Sequence, residues 1–216
     1  MELNCKVCGT SCAPIVYKKI KSRYHRCPKC EFIFKDESCY LTEAQELSIY
    51  QEHNNSIDDS AYQTYFKEFI EKCISGFVSG SIEALDFGSG PEPVLASMLK
   101  HQYGYRVDVY DKFFSPEKIY EGKLYDLITA TEVVEHLEEP IEYFKLFHAF
   151  LKPGGFLAVM TQFHPNDTGR FENWHYRRDE SHVSFFTPKT IADIAEQVGF
   201  DIVFMDTHKN VTFRRH

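Results

Sequence analysis

The sequence predicts an α/β fold: a mainly parallel sheet that closes with a C-terminal antiparallel hairpin and is preceded by a small cysteine-bearing unit. Three observations predict it. From residue 81 short apolar runs alternate with helical periodicities, a pattern that lays strands in one sheet with helices on both faces. Two β runs, DIVFMD and VTFRR, finish the chain with no helix between them. Ahead of all this stand two CxxC pairs. The order of the main elements is Rossmann-like.

Residues 1–40 read as a ribbon, 41–78 as a helical connector and 79–216 as the sheet domain. Thr42 and Gln45 have capping-box spacing for a helix running to about Glu52. The stretch QEHNNSIDDS is polar and turn-like. Tyr62, Tyr65, Phe66, Phe69, Ile70, Cys73, Ile74 and Phe77 then repeat at helical spacing, so one apolar face meets a core. Strands are expected at Ile82–Phe87, Arg106–Tyr110, Leu124–Ala130 and Phe156–Thr161. Pro91 is expected to open one helix. EVVEHLEEP leads into a second, which carries Ile141, Phe144, Phe147 and Leu151 and stops at Lys152-Pro-Gly-Gly155. Thr187-Pro188 caps a third, which Gly199 ends.

The 216 residues suit one medium domain with an appendage. No run of 18 apolar residues occurs, and MELNCKVCGT lacks an apolar signal core, so the sequence reads as a soluble, cytoplasmic protein with no membrane partner. The net charge is −8, but residues 1–35 carry +6 and the remainder −14. A basic appendage can attract a polyanion, which makes nucleic acid a candidate partner of residues 1–35.

Cys5, Cys8, Cys27 and Cys30 form two knuckles with 18 residues between the pairs. Four thiolates in that arrangement match tetrahedral Zn²⁺ in a closed, structural site. Some 35 residues bury little apolar surface, so the zinc would supply the folding energy. Cys12 and His25 are spare donors outside the knuckles; Cys39 and Cys73 read as reduced thiols.

ALDFGSGPEP places Gly88 and Gly90 directly after a strand, and Asp111 ends the next one. Such a turn lets a ligand approach the backbone, and a carboxylate about 20 residues on can hold ribose hydroxyls. A dinucleotide sets its pyrophosphate on free N–H groups at a helix start. Here Pro91 and Pro93 delete two N–H groups and Glu92 adds negative charge. The loop therefore favours a phosphate-free cofactor such as S-adenosylmethionine over NAD.

LDFGSG, Asp111, YDLITATEVVEHL and FLKPGGFLAVMT resemble, in order, the motifs of class I S-adenosylmethionine-dependent methyltransferases. The likeness covers residues 60–216 and is nearest the ubiquinone-pathway O-methyltransferase group. The resemblance implies that Asp86, Gly88 and Gly90 line the methionine side of the cofactor. Asp111 would bind its ribose, and Thr131 and Glu132 would close the site. Two departures are visible: Glu92 replaces the usual third glycine, and only 14 residues separate Asp111 from Asp126, too few for the usual helix and strand. Phe113 and Phe114 are candidates for stacking on the adenine.

Glu132, Glu135 and His136 have the spacing of one helical turn and resemble, with His182 downstream, the Mg²⁺ or Mn²⁺ site of certain O-methyltransferases. The bland alternative has Glu132 touching cofactor while Glu135 and His136 merely begin a helix. Residues 162–186 lack periodicity and suit an acceptor lid, with Arg170, Arg177 and Arg178 available for anions. His182 is the first candidate for base, and His164 the second. The expected function is S-adenosylmethionine-dependent O-methylation of a small molecule. The alternatives are an RNA methyltransferase guided by the ribbon and a non-catalytic binding module.

Overall fold

The computed structural model describes residues 3–17, 22–52 and 59–216. Its first unit is an antiparallel meander of β1 (Leu3–Asn4), β2 (Ser11–Ile15), β3 (Tyr24–Arg26) and β4 (Ile33–Lys35). The CxxC turns join β1 to β2 and β3 to β4. Cys5 N–H donates to the Thr10 carbonyl and Cys27 N–H to the Phe32 carbonyl, both at 2.8 Å. Each knuckle needs a left-handed residue just past its second cysteine: Gly9 at φ 73° in one, Glu31 at φ 67° in the other. A side chain in that conformation costs roughly 1–2 kcal/mol. Contacts offset it, because the Glu31 carbonyl accepts from His164 Nε2 and its carboxylate from the Thr187 hydroxyl, each at 3.0 Å.

Helix α1 (Glu43–Glu52) follows, started by the expected Thr42–Gln45 box. Most of the polar stretch after it lies outside the described residues. Asp59 caps α2 (Ser60–Cys73) by accepting from the N–H groups of Ala61 and Tyr62. The predicted apolar face of α2 is the buried one, with Phe66, Phe69, Ile70 and Cys73 inside. Among the described residues no helix is long and apolar enough to cross a membrane.

The main sheet comprises β5 (Glu83–Phe87), β6 (Arg106–Tyr110), β7 (Tyr125–Thr131), β8 (Leu151–Met160), β10 (Phe200–Met205) and β11 (Asn210–Arg215). Between them run α3 (Val94–Tyr103), α4 (Pro140–Phe150), α5 (Thr168–Asn173), the short β9 (Ser184–Phe185) and α6 (Pro188–Val198). The strand order is β10-β11-β8-β7-β5-β6, parallel through β8, β7, β5 and β6 and antiparallel where β11 and β10 close it. From β5 the chain steps to β6 on one side and returns to β7 on the other. The crevice at the C-terminal ends of β5 and β7 is therefore the switch point where such sheets hold ligands. Leu85, Leu127, Ile128, Leu157 and Val159 are fully buried in this sheet, each contributing roughly 1.5–3 kcal/mol.

Three local expectations change. Helix α3 starts at Val94 instead of Pro91, because a residue before proline is pushed out of the helical region and Pro93 stands between Glu92 and Val94. EVVEH does not make an α-helical turn: Glu132 is left-handed at φ 53°, and Val134–His136 is a tighter 3-10 turn that ends at extended Leu137. The segment 162–186 is not an irregular lid. It contains α5, a 3-10 turn at Tyr176–Arg178 and β9, and β9 pairs antiparallel with β4. The ribbon sheet thus takes its fifth strand from the far part of the chain, in the order β1-β2-β3-β4-β9. Phe32 and Phe34 belong to the same buried cluster as Leu85, Ile128 and Phe147, so ribbon and sheet domain share one core.

Candidate active site

A cavity of about 1010 Å³ opens over the switch point. Its floor is the ends of β5, β6 and β7, and its walls come from α1, α2, the 132–139 turn and residues 175–183. That size accommodates a nucleoside-like ligand together with a small second molecule.

One end is built by the glycine loop. Gly88 has φ 77°, and a Cβ there would meet Val133 Cγ2 at 2.3 Å, so only glycine fits. Its N–H donates to the Tyr110 carbonyl at 2.7 Å, tying the loop to β6. Gly90 N–H donates to Asp111 Oδ2 at 2.9 Å, while Asp111 Oδ1 accepts from Phe113 and Phe114 N–H at 2.9 and 3.0 Å. The aspartate that ends β6 therefore fixes both loops of this end, and the 113–114 turn stands where the missing helix would begin. Asp86 is 2 % exposed; Thr129 hydroxyl donates to it at 2.7 Å, and burial pushes its pKa up to about 6.

Glu132 stands at the centre. Tyr65 hydroxyl donates to its Oε1 at 2.7 Å and Tyr176 hydroxyl to its Oε2 at 2.8 Å. Tyr176 Oη also lies 2.5 Å from Glu135 Oε1. A phenol has one proton, so both contacts are hydrogen bonds only if one carboxyl is protonated. Glu135 is that group: it is fully buried, and burial reinforced by neighbouring Glu132 raises its pKa well above the ordinary range. Glu135 Oε2 has no hydrogen-bond partner among the described residues.

The histidines separate into two fates. His182 lines the cavity; its Nδ1 donates to the Tyr176 carbonyl at 2.7 Å, which leaves the Nε2 lone pair free. Burial and nearby His136 lower its pKa, so it is neutral at pH 7. His136 lines the cavity as well and is lowered by burial. His164 does not line it. Its Nε2 donates to the Glu31 carbonyl, and its Nδ1 accepts from Asn166 N–H at 3.1 Å. His164 is a buried strut between ribbon and sheet domain, which corrects the expectation that it is a second catalytic candidate.

Asp86, Gly88, Gly90, Asp111, Thr131 and Glu132 all line the cavity, as do Phe113 and Phe114. Of the suggested metal set, Glu135, His136 and His182 present ligand atoms within 4.8 Å of one another. Glu132 is drawn out of that set by its two tyrosines. Arg170, Arg177 and Arg178 do not line the cavity, which corrects their reading as acceptor contacts. Sequence reasoning also missed Tyr65 and Tyr176 as the grip on Glu132. Only the i, i+3 spacing of Tyr62 and Tyr65 hinted that α2 turns hydroxyls toward a site.

The four knuckle sulfurs also lie within 4.8 Å of one another, with Cys5–Cys30 at 3.5 Å and Cys8–Cys27 at 3.4 Å. Tetrahedral Zn–S bonds of about 2.3 Å require sulfurs somewhat under 4 Å apart, so the donors fit. Cys12 and His25 stay outside: Cys12 faces the Thr10 carbonyl, and His25 pairs with Asp36 at 3.1 Å. Two ribbon lysines turn inward, while Lys29 is exposed. Lys6 pairs with Glu37 and Glu139, each at 2.9 Å, and Lys35 donates to the Glu180 carbonyl at 2.6 Å.

A family profile described as a methyltransferase domain matches residues 50–204. The chain is 26% identical to the ubiquinone biosynthesis O-methyltransferase of Ruegeria pomeroyi over 136 residues, 58% of this chain and 53% of that protein. It is 30% identical to the Roseobacter denitrificans protein of the same name over 92 residues, 38% of this chain and 37% of that one. The chain thus spans about half the length of the first relative and less of the second. Among solved structures it resembles the mitomycin 7-O-methyltransferase MmcR, with a TM-score of 0.55, 14% identity and coverage of 79% and 60% of the two chains. It also resembles the N-methyltransferase NodS of Bradyrhizobium japonicum bound to S-adenosyl-L-homocysteine, with a TM-score of 0.50, 14% identity and coverage of 79% and 97%. At these identities the structural likenesses speak for the fold. The profile spans α2, the glycine loop, the Glu132 turn and the strands beneath them, and the chain belongs to the methyltransferase-domain family.

Proposed function

We propose that the protein transfers a methyl group from S-adenosylmethionine to a hydroxyl of a small molecule. The carrying observation is that all six residues expected at the cofactor, Glu132 among them, line one cavity together with His182. The curated relatives are O-methyltransferases by name, which favours oxygen. S-adenosylmethionine supplies a methyl group on a sulfonium, whose sulfur keeps the C–S electron pair as the new O–C bond forms. Asp86 would hold the cofactor's ammonium, Gly88 and Gly90 would let it approach the backbone, and Asp111 would accept from its ribose hydroxyls. The tyrosine-held Glu132 keeps acceptor and donor in line, since alignment and exclusion of water are most of the catalytic task. His182 Nε2 takes the hydroxyl proton, and Asp179 Oδ2, 3.7 Å away, stabilises the imidazolium formed. Calorimetry tests this reading: S-adenosyl-L-homocysteine should bind one-to-one and NAD should not. His182→Gln should keep that affinity while turnover falls at least about 100-fold. NAD binding in place of the homocysteine compound overturns the proposal.

The four cysteines we assign to a structural zinc. A second reading, in which Glu135 gives up its proton and His182 Nε2 is a metal ligand in place of the base, is supported by one observation, the convergence of Glu135, His136 and His182. The Ser181 carbonyl lies 3.3 Å from His136 Nδ1, so both imidazoles have Nδ1 engaged and Nε2 available. Two imidazoles and one carboxylate suit Mn²⁺ better than Mg²⁺, which prefers oxygen donors and water. Electron paramagnetic resonance should detect one bound Mn²⁺ per chain, unaffected by millimolar Mg²⁺ and abolished in His136→Ala. Displacement by Mg²⁺, or no bound Mn²⁺, rules the ion out.

The RNA alternative loses support from the inward turn of Lys6 and Lys35. Lys18, Lys19 and Lys21 lie outside the described residues.

A further inference from the structure

We propose that the acceptor is a cation, an aromatic or aliphatic molecule that carries a protonated amine as well as its hydroxyl. The inference rests on the methyltransferase reading above and concerns what the other half of the same cavity selects.

The charge of the walls carries it. Among the described residues ten carboxylate side chains line the cavity, against one lysine and no arginine. That lysine, Lys112, already pairs with Glu46 at 3.0 Å and with Glu43 at 3.5 Å. Asp86, Glu92 and Asp111 belong to the cofactor end, and Asp59 is occupied in capping α2. On the acceptor side Glu139 is neutralised by Lys6, and Asp179 accepts from Ser181. Glu132, Glu138 and Glu180 make no direct ion pair with a described lysine or arginine, although Lys209 lies within electrostatic reach of Glu132 and Lys35 of Glu180, outside the cavity lining. Glu132 has only two phenol donors, which stabilise its charge without cancelling it. Glu132 sits in the partly enclosed cavity, which screens its charge less than open solvent does, and the exposed Glu138 and Glu180 at the rim add a weaker, salt-sensitive field, so the acceptor meets a negative potential.

Two further features point the same way. The arginines that would have greeted a carboxylate or phosphate are elsewhere, since Arg177 reaches Tyr24 in the ribbon and neither Arg170 nor Arg178 lines the walls. The walls do present aromatic faces, from Tyr40, Tyr50, Tyr62, Tyr65, Tyr143 and Tyr176. Aromatic faces beside carboxylates recognise ammonium groups. The molecule uses one that way already: Lys209 Nζ sits 3.9 Å from the centre of the Tyr65 ring. An acidic, tyrosine-lined cavity repels anionic acceptors, nucleic acid among them, and draws in amines.

The test uses the full chain loaded with S-adenosyl-L-homocysteine and a matched pair of ligands that differ in charge, tyramine and 4-hydroxyphenylacetate. Calorimetry should find tyramine bound at least tenfold more tightly, with the preference shrinking between 50 and 500 mM salt. Glu138 and Glu180 are exposed, so E138Q/E180Q should fold normally and lower the preference at least threefold. Equal or tighter binding of 4-hydroxyphenylacetate overturns the proposal, as does absence of binding of either compound at about 10 mM. An unchanged preference in E138Q/E180Q removes those two carboxylates as its source and overturns the rim assignment. Binding of S-adenosyl-L-homocysteine in the loading step separates the two readings. If it fails, the methyltransferase reading falls; if it succeeds without a charge preference, only the cationic acceptor falls.

Discussion

Stripping the proposed zinc from Cys5, Cys8, Cys27 and Cys30 is expected to lower the Tm by at least about 10 °C and to abolish the proposed methyl transfer, although none of the four cysteines lines the cavity. The second knuckle is hydrogen-bonded to residues that flank the cavity wall of 175–183, and β4 just after it is bonded to that wall itself. Thr190 hydroxyl donates to the Cys30 carbonyl at 2.8 Å, and Glu31 holds both His164 and Thr187. Lys35 N–H donates to the Val183 carbonyl at 2.8 Å, while Ile33 and Phe34 pair with Phe185 and Ser184. Without an ion, four adjacent sulfurs have no shared partner and the small meander buries too little to persist. Residues 176–183 then lose their backing, and with them Tyr176 and His182 leave Glu132. For a chain of this size about 4 kcal/mol corresponds to roughly 10 °C, and structural zinc sites supply more than that. Thermal melts and metal analysis with and without a zinc chelator check the expectation. Cys30→Ala should match the chelated protein, and Cys39→Ser should match the native one. A zinc-free protein with native Tm and turnover would defeat it.

Asp86→Asn is expected to stabilise the fold at pH 8 while weakening cofactor binding at least about 100-fold. Burial raises this carboxyl from 3.8 to about 6. A folded-state pKa above the unfolded one means that the native protein takes up a proton as pH falls between those values. The stability this provides is complete below about pH 4 and is lost as pH rises through about 6. Above pH 6 the ionised, buried Asp86 therefore costs up to about 3 kcal/mol. Asparagine removes that cost and also removes the anion we assign to the cofactor's ammonium. In the native protein the affinity for S-adenosyl-L-homocysteine should accordingly decline as pH drops below about 6. Melting curves at pH 5 and pH 8, with calorimetry across the same range, provide both readouts. A flat affinity between pH 5 and 8, or native affinity in the variant, would remove Asp86 from the proposed cofactor site.

What the sequence made legible was what local chemistry specifies. CxxC spacing, proline-opened and glycine-closed helices, and the order of apolar runs all act within a few residues. Thr187 and Gly199 illustrate this: the side-chain box with Thr190 and the left-handed cap at φ 89° bound α6 as expected. The misreadings came from partners far apart in the chain. Nothing near residue 184 signals a strand, because its partner is β4. Nothing near Glu132 signals that Tyr65 and Tyr176, one on each side of it in sequence, would hold its two oxygens. His164 and Arg177 looked like chemistry in an aperiodic stretch, yet the ribbon they brace lies more than a hundred residues earlier. Spacing finds residues that must lie on one turn of backbone; it is silent about those that meet through the core.

The pairing of Ile33 with Phe185 also governs how the chain reaches this state. β4 is synthesised long before β9, so its outer edge stays open while most of the sheet domain is made. Such distant pairings are slow to form, and an open strand edge invites association with other chains in the interval. An ion seated early in the cysteine knuckles would keep the meander shaped until β9 arrives. Expression under zinc limitation should then yield aggregates of newly made chains, even under conditions in which the completed protein keeps its metal.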